Sequence, residues 1–262
     1  MAREPSAGRR PAGTGLFMRS VLDYAAHRPG EPVTVLQAGC VTAGDDLDIA
    51  ALRAARCVLT LTLLDDDNKV TRTAVAARQD LRGAALGDLR TVPLAPRSAD
   101  IVHCPMLLDR IRNAELVLGR LVDALRPGGM LLLRTADRQS AAGLLDRALP
   151  GPLRAAAWRR LRPGEPGPYP AVYEEVASPR GIQAFVTRHG LVIAHRETRS
   201  GLAGRRRPVL GAARAMVAAA SRGRRSAAHD ELAYVIRKPE DRFARLLAPD
   251  ARSPERRPPE RQ

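Results

Sequence analysis

Apolar and polar positions change period repeatedly along this chain. Leu16, Phe17, Val21, Leu22 and Tyr24 recur at helical spacing until His27-Arg-Pro-Gly-Glu-Pro32 stops them, which predicts a short helix placed where it could lie over a pocket. Val33-Thr-Val-Leu36 is then a short apolar run that opens into the small-residue turn Gln37-Ala-Gly-Cys-Val-Thr-Ala-Gly44. A helix is predicted from about Asp46 to Arg56, and a β-branched strand over Val58 to Leu64 is stopped by Asp65-Asp-Asp-Asn68. A helix to about Ala77 and a weaker strand near Ala84 to Leu86, ending in Gly87-Asp88, complete this half.

The alternation continues with a strand over Ala99 to Cys104 and an amphipathic helix from about Asn113 to Leu125, which Arg126-Pro-Gly-Gly129 ends. Met130-Leu-Leu-Leu-Arg-Thr135 is apolar almost throughout, as a strand covered on both faces must be. Beyond Asp137 one helix is expected over Ala141 to Leu161, then a proline-rich loop over Arg162 to Pro170, a helix over Arg180 to Arg188, and strands over Leu191 to His195 and Glu231 to Ile236. Repeated strand, crossover helix, strand units imply an α/β fold: a Rossmann-like, doubly wound, mostly parallel sheet of about seven strands with helices on both faces. The expected organisation is an N-terminal flexible segment with a short helix over 1–30, one domain over 31–239 with insertions at about 138–175 and 199–229, and a 240–262 tail that is disordered at its end.

Composition narrows the classes. The 262 residues hold 45% hydrophobic and 27% charged side chains, which argues against a wholly disordered chain, a collagen-like repeat and a membrane bundle. The formal net charge of +15 is carried almost entirely by arginine, since Lys69 and Lys238 are the only lysines; an arginine, alanine, glycine and proline excess of this kind follows from coding bias. With 3% aromatics there are few stacking platforms, so the charge by itself does not indicate nucleic acid. Cys40, Cys57 and Cys104 form no C-x-x-C pair, so neither a disulfide framework nor a metal site is expected. No signal-like stretch and no spanning run of about 18 apolar residues is visible, which places the protein in the cytoplasm as an expectation.

Gly87-Asp-Leu-Arg-Thr-Val-Pro-Leu-Ala-Pro-Arg-Ser-Ala-Asp-Ile-Val-His-Cys104, followed by Leu107-Leu-Asp-Arg-Ile111 and Leu125-Arg-Pro-Gly-Gly-Met-Leu-Leu-Leu133, resembles the class I S-adenosylmethionine-dependent methyltransferases, in particular the small-molecule, type 11-like branch. The resemblance covers about residues 33 to 137 and, more loosely, the last two strands. It implies an S-adenosylmethionine cofactor held at the carboxyl ends of the strands, where ligands of open α/β sheets bind. Gln37, Gly39, Cys40 and Gly44 would form the first loop, Asp65 or Asp66 would accept from the ribose hydroxyls, and Asp88 with the Leu89 amide would meet the adenine. His103, at the mouth of strand four, is the candidate for a cofactor contact or a general base. The first loop departs from the family pattern: Gln37 stands where an acid is usual, and Val41 and Ala43 where glycines are.

The function implied is methyl transfer to a small molecule or a glycan- or lipid-linked precursor; Tyr169, Tyr173, Glu174 and Glu175, in and after the proline-rich loop, are candidates for meeting the acceptor. A different reading is an inactive, methyltransferase-like binding or scaffolding module whose working surface is the arginine-rich 199–229 segment. That segment could contact an anionic membrane or an acidic ligand, against the plainer reading of a solvated face. An RNA methyltransferase is the third reading, with less behind it, because no RNA-binding motif accompanies the charge.

Overall fold

The computed structural model describes residues 15–39, 47–161, 170–200 and 228–240, with 215, 216, 219 and 220 between the last two stretches. Cys40, Gly44, Tyr169, most of the arginine-rich segment and the tail beyond 240 lie outside the described residues. The elements, in order, are α1 (Leu16–Ala26), β1 (Val33–Ala38), α2 (Ile49–Ala54), β2 (Leu59–Asp65), α3 (Lys69–Ala76), β3 (Gly83–Leu86), β4 (Ala99–Pro105), α4 (Ala114–Ala124), β5 (Leu125–Ala136), α5 (Ala141–Ala148), α6 (Gly151–Leu161), α7 (Pro179–Arg188), β6 (Val192–Arg199) and β7 (Glu231–Arg237).

Seven strands form one sheet in the order β3-β2-β1-β4-β5-β7-β6. The first five run parallel, and β7 is antiparallel to both β5 and β6. This is the doubly wound architecture that the alternating pattern predicts. Every residue of β4 is buried, as is every residue from Met130 to Thr135 in β5 and from Glu231 to Ile236 in β7, because helices cover both faces. On one face α4 and α7 bring Leu118, Leu121, Ile182 and Phe185 onto Val102, Leu131, Leu133 and Tyr234. On the other, α1 brings Phe17, Val21 and Tyr24 onto Val33, Val35, Ile101 and Leu132, and α2 adds Leu52.

Four details differ from the expected pattern. The helix expected over a pocket, α1, lies flat on the sheet: Phe17 and Val21 are completely buried, each contributing about 2 kcal/mol of apolar burial. The single helix expected over 141–161 is two, since Leu149 precedes Pro150 and is pushed into extended backbone at φ −73° and ψ 128°. β5 begins at Leu125 and includes the Pro-Gly-Gly turn, where its pairing with β4 shifts register between Ala99 and Ile101. Here the Gly128 amide donates to the Lys238 carbonyl and the Lys238 amide to Gly129, and a Cβ on Gly129 would stand 2.7 Å from the Asp100 carbonyl. β6 runs on to Arg199, four residues beyond its expected end.

Asp100, the acid inside β4, explains part of the sequence pattern in structural terms. Its carboxylate accepts the Thr34 amide at 2.9 Å, Arg126 Nη1 at 2.8 Å, and Arg28 Nη1 and the Tyr24 hydroxyl each at 3.3 Å. Burial, and secondarily this carboxylate, push the Tyr24 phenol up to about 12. The knot ties α1, β1, β4 and β5 together at the amino edge of the sheet, opposite the edge where open α/β sheets bind ligands.

Candidate functional site

At the carboxyl edge β1 ends in Gly39, whose φ of +97° belongs to the region glycine enters without a Cβ penalty. A Cβ there would stand 3.2 Å from Arg110 Nη2 and 3.4 Å from the Pro105 carbonyl. β2 ends in Asp65, which is 1% exposed, and its Oδ1 accepts the Asp66 amide at 2.8 Å. Arg110 Nη2 lies 3.4 Å from each Asp65 carboxylate oxygen. One buried guanidinium therefore fills the space between the glycine and the strand-two acid.

Around this groove the other candidates are also tied. The Gln37 side chain donates from Nε2 to the Gly39 carbonyl at 3.3 Å and accepts Arg78 Nη1 at 2.8 Å, while Arg78 grips Asp80 with Nε and Nη2 at 2.9 and 2.6 Å. Gln37 thus braces the start of the first loop against the end of α3. The Asp66 carboxyl receives the Leu89 amide; burial, and then the neighbouring Asp65, push its pKa up. Asp88 turns to Arg90, which grips it at 2.9 and 2.7 Å, and accepts the Arg90 amide as well, so its carboxyl falls to about 2. The Asp88 backbone carbonyl also accepts the Thr91 and Val92 amides, which makes the residue the anchor of its own turn.

His103 is paired in register with Gln37 on β1 and Leu132 on β5 and is buried, its ring edge-on to Phe17 of α1 with centroids 5.8 Å apart. It sits on the α1 face of the sheet, inside the strand, not at the strand's mouth. Cys104, on the opposite face, is fully buried, and burial pushes its thiol up to about 12, so it is a packing residue at neutral pH.

A second feature lies beside the groove. A cavity of about 110 Å³ opens over the carboxyl ends of β4 and β5 and the beginning of β7. Met106 and Ala136 form its floor, α5 and α6 supply Leu145, Leu149 and Trp158, and Tyr173 closes one side. Asp109, Asp146, Asp230 and Glu231 are among its lining residues, as is Arg154. Asp146 accepts the Tyr173 hydroxyl at 3.1 Å, and Glu231 is held by Arg134 at 2.8 and 2.6 Å. The acids are spread around the wall: among the described residues no three His, Cys, Asp or Glu side chains gather closely enough to hold a metal ion. Met106 and Tyr173 have φ of +48° and +50°, strained backbone of the sort that persists where surrounding structure over-determines it.

Of the acceptor candidates near the proline-rich loop, Tyr173 lines this cavity. Glu174 instead receives the Asn113 and Ala114 amides at 2.6 and 2.8 Å and closes the N-terminus of α4. The Glu175 backbone carbonyl accepts the Ser178 hydroxyl next to α7.

A family model described as a methyltransferase domain matches residues 36–133, from β1 through most of β5. This stretch of the chain is similar to a methyltransferase domain. No curated protein matches the sequence. Among solved structures, a Haloferax volcanii protein described as a methyltransferase, in complex with the Trm112 methyltransferase activator, is 16% identical with a TM-score of 0.50, the match covering 86% of this chain and 90% of that one. A Mesorhizobium loti S-adenosylmethionine-dependent methyltransferase is 17% identical with a TM-score of 0.48, over 84% and 99% of the two chains. Haemonchus contortus phosphoethanolamine N-methyltransferase 2, in complex with S-adenosyl-L-methionine, is 14% identical with a TM-score of 0.46, over 84% of this chain; the match spans about half of that enzyme, 53% of its length.

The matched segment contains Gly39, Asp65, Asp66, Asp88 and Arg110, whereas most of the cavity wall comes from residues after 133. The groove fits an adenosyl cofactor in its donor set: a glycine face without a Cβ, and two carboxylates at the end of β2 able to accept from hydroxyls. Arg110 had a visible but unread signal, since it lies in the Leu107–Ile111 stretch that carries the resemblance. Asp146, Asp230 and Glu231 had none, for nothing local marks residues that meet only through tertiary folding.

Proposed function

We propose that this methyltransferase domain transfers a methyl group from S-adenosylmethionine to a small molecule seated in the cavity beside the groove, the acceptor bearing an amine nitrogen on an apolar body. The observation that carries this reading is the placement of consecutive residues on one segment: Asp109 lines the cavity, and Arg110 crosses the groove between Gly39 and Asp65. A donor site and an acceptor site that share a loop are what an in-line transfer needs.

When bound, the cofactor supplies a methyl group on a cationic sulfonium, which departs as a neutral thioether. The chain's part is to bind, orient and exclude water. Asp65 and Asp66 would hold the ribose hydroxyls, and Gln37 ties the Gly39 carbonyl to Arg78. Leu145, Leu149 and Trp158 supply an apolar wall to the cavity, and its carboxylates favour a nitrogen that carries N–H bonds. This chemistry supports a small-molecule acceptor over a glycan- or lipid-linked precursor. Among the described residues no helix is long and apolar enough to cross a membrane.

Calorimetric titration with S-adenosylmethionine and S-adenosylhomocysteine, with Asp65→Ala as control, tests the donor half. Micromolar binding that the variant loses is expected; no binding by the folded wild type would favour a non-catalytic binding module. The acceptor half is tested with the matched probes benzylamine, benzyl alcohol and benzoate. Benzylamine is expected to bind about tenfold tighter than the alcohol, a preference that shrinks in Asp146→Asn. Equal binding of all three would remove the amine from the proposal.

A further inference from the structure

We propose that the acceptor carries a carboxylate as well as its amine, so that the cavity takes an apolar amino acid, and that Arg154 is the residue that recognises the carboxylate. The proposal rests on the reading of this cavity as the acceptor site.

α6 supplies Arg154, Ala157 and Trp158 to the cavity lining. Positions i, i+3 and i+4 share one face of a helix, so a single face of α6 turns to the cavity, and Arg154 stands on it one turn before Trp158. Arg154 is half-buried; its Nε is closed off from water and, among the described residues, has no hydrogen-bond partner. It forms no ion pair among the described residues either, although four acids belong to the same lining. Three of those acids have other company. Arg134 grips Glu231 at 2.8 and 2.6 Å, the Tyr173 hydroxyl donates to Asp146 at 3.1 Å, and the Thr135 hydroxyl to Asp109 at 3.5 Å.

A guanidinium keeps its charge at any ordinary pH and offers five N–H donors but accepts nothing, so one withdrawn from water needs an anion or a set of acceptors. Elsewhere in this fold the chain supplies the anion. Arg78 meets Asp80 at 2.9 and 2.6 Å, and Arg134 meets Glu231, each with Nε and Nη2 on the carboxylate. Arg154 has the same fork and no carboxylate of the chain in it. The group that fits is a carboxylate brought by the ligand, which accepts two N–H bonds side by side.

The rest of the lining decides what else that ligand carries. A carboxylate alone would bring one more negative charge to a cavity that already has Asp109, Asp146, Asp230 and Glu231 in its lining, and an amine alone would leave Arg154 without an anion. A zwitterion meets both demands, and Leu145, Leu149 and Trp158 offer an apolar surface to its side chain. An amino acid with an apolar side chain has these three parts.

Calorimetric titration of the full chain with two matched pairs tests this: phenylalanine against 2-phenylethylamine, and leucine against 3-methylbutylamine, the members of each pair differing only in the carboxylate. In the wild type the amino acid of at least one pair is expected to bind about tenfold tighter than its amine, or more. Arg154→Met should erase that gain and leave the amine bound at least as well as before, with Arg154→Lys, which keeps the charge without the fork, in between. Equal or weaker binding of the amino acid in both pairs overturns the proposal, and so does a gain that survives in folded Arg154→Met. Should Arg154→Met not fold, Arg154→Lys decides: a gain cut by about threefold or more sustains the proposal, and an undiminished gain ends it. 3-Phenylpropionate, which keeps the carboxylate and lacks the amine, separates the two readings. If it binds as tightly as phenylalanine and loses that binding in Arg154→Met, the carboxylate site stands and the amine reading fails. If 2-phenylethylamine matches phenylalanine, 3-methylbutylamine matches leucine and 3-phenylpropionate does not bind, the amine reading stands and the role of Arg154 fails. Absence of binding by all five ligands to the folded wild type would refute both.

Discussion

The acids at the two halves of the carboxyl edge differ in the company they keep. Around the groove at β1 and β2, Asp65, Asp80 and Asp88 each meet an arginine of their own, so the chain neutralises its own carboxylates there. Around the cavity at β4, β5 and β7, Glu231 likewise meets an arginine, Arg134, but the described lining residues include Asp109, Asp146, Asp230 and Glu231 against Arg154. In a protein with an excess of 15 positive charges this is a local inversion, and inversions of charge in a concave site are where an oppositely charged ligand is recognised. Under the proposed function the cavity answers to a ligand that brings a positive or N–H-rich group.

The sharpest way to break this contrast is to remove the acid from each half. Asp65→Ala removes the carboxylate that faces Arg110 Nη2 and is expected to cost about 3 kcal/mol in urea unfolding. Asp146→Asn, which keeps an acceptor for Tyr173, is expected to cost under about 1 kcal/mol while changing the amine preference. Equal costs would show that the two sets of acids play the same structural part. Next in size, Gly39→Ala forces a Cβ into positive φ and against Arg110 and the Pro105 carbonyl, for an expected loss of about 1 to 2 kcal/mol and weaker S-adenosylhomocysteine binding; amine binding in the cavity should be unchanged.

Glu174→Gln tests the support of the segment that the two halves share. It replaces a carboxylate that caps two amides at the start of α4 with a neutral amide, and about 1 kcal/mol should be lost in thermal unfolding. The smallest effect is spectroscopic. In an NMR titration the Asp88 carboxyl should have a pKa of about 2 in the wild type and return toward the ordinary carboxylate range in Arg90→Ala. Since the pair lowers the folded-state value, its contribution is present at neutral pH and is lost as pH falls through about 2. An Asp88 that titrates normally in the wild type would remove it from the set of arginine-held acids.

What the sequence made legible follows the same division. Strands covered on both faces, such as β4 and β5, write themselves as continuous apolar runs, whereas the largely exposed edge strands β3 and β6 read as a weaker strand and a shortened one; a family model reaches the groove through residues 36–133. Asp65 and Asp88 could be placed at strand ends because position along a strand is local information. Their arginines are a different matter. Arg90 is two residues from Asp88, but Arg110 is 45 residues from Asp65, and no periodicity connects them. The cavity is less legible still: Asp109, Asp146, Tyr173 and Glu231 come from four separate segments, and only Tyr173 was singled out as a candidate, although Asp109 stands in the Leu107–Ile111 stretch that carries the resemblance. Likewise the break between α5 and α6 was written in Pro150, while the early start of β5 depended on Lys238, which is more than 100 residues away.

The place of β7 has a consequence for the making of the protein. β7 follows β6 in the chain but lies between β5 and β6 in the sheet, and among the described residues β6 pairs with no other strand. While the chain is being synthesised, β1 to β5 can assemble as soon as they emerge, but β6 must wait beside an unfinished sheet, and β5 keeps a bare hydrogen-bonding edge, until residues 231–237 leave the ribosome. A nascent chain halted in that interval would possess the groove and lack the cavity's Glu231, and its open edge would invite pairing with another copy.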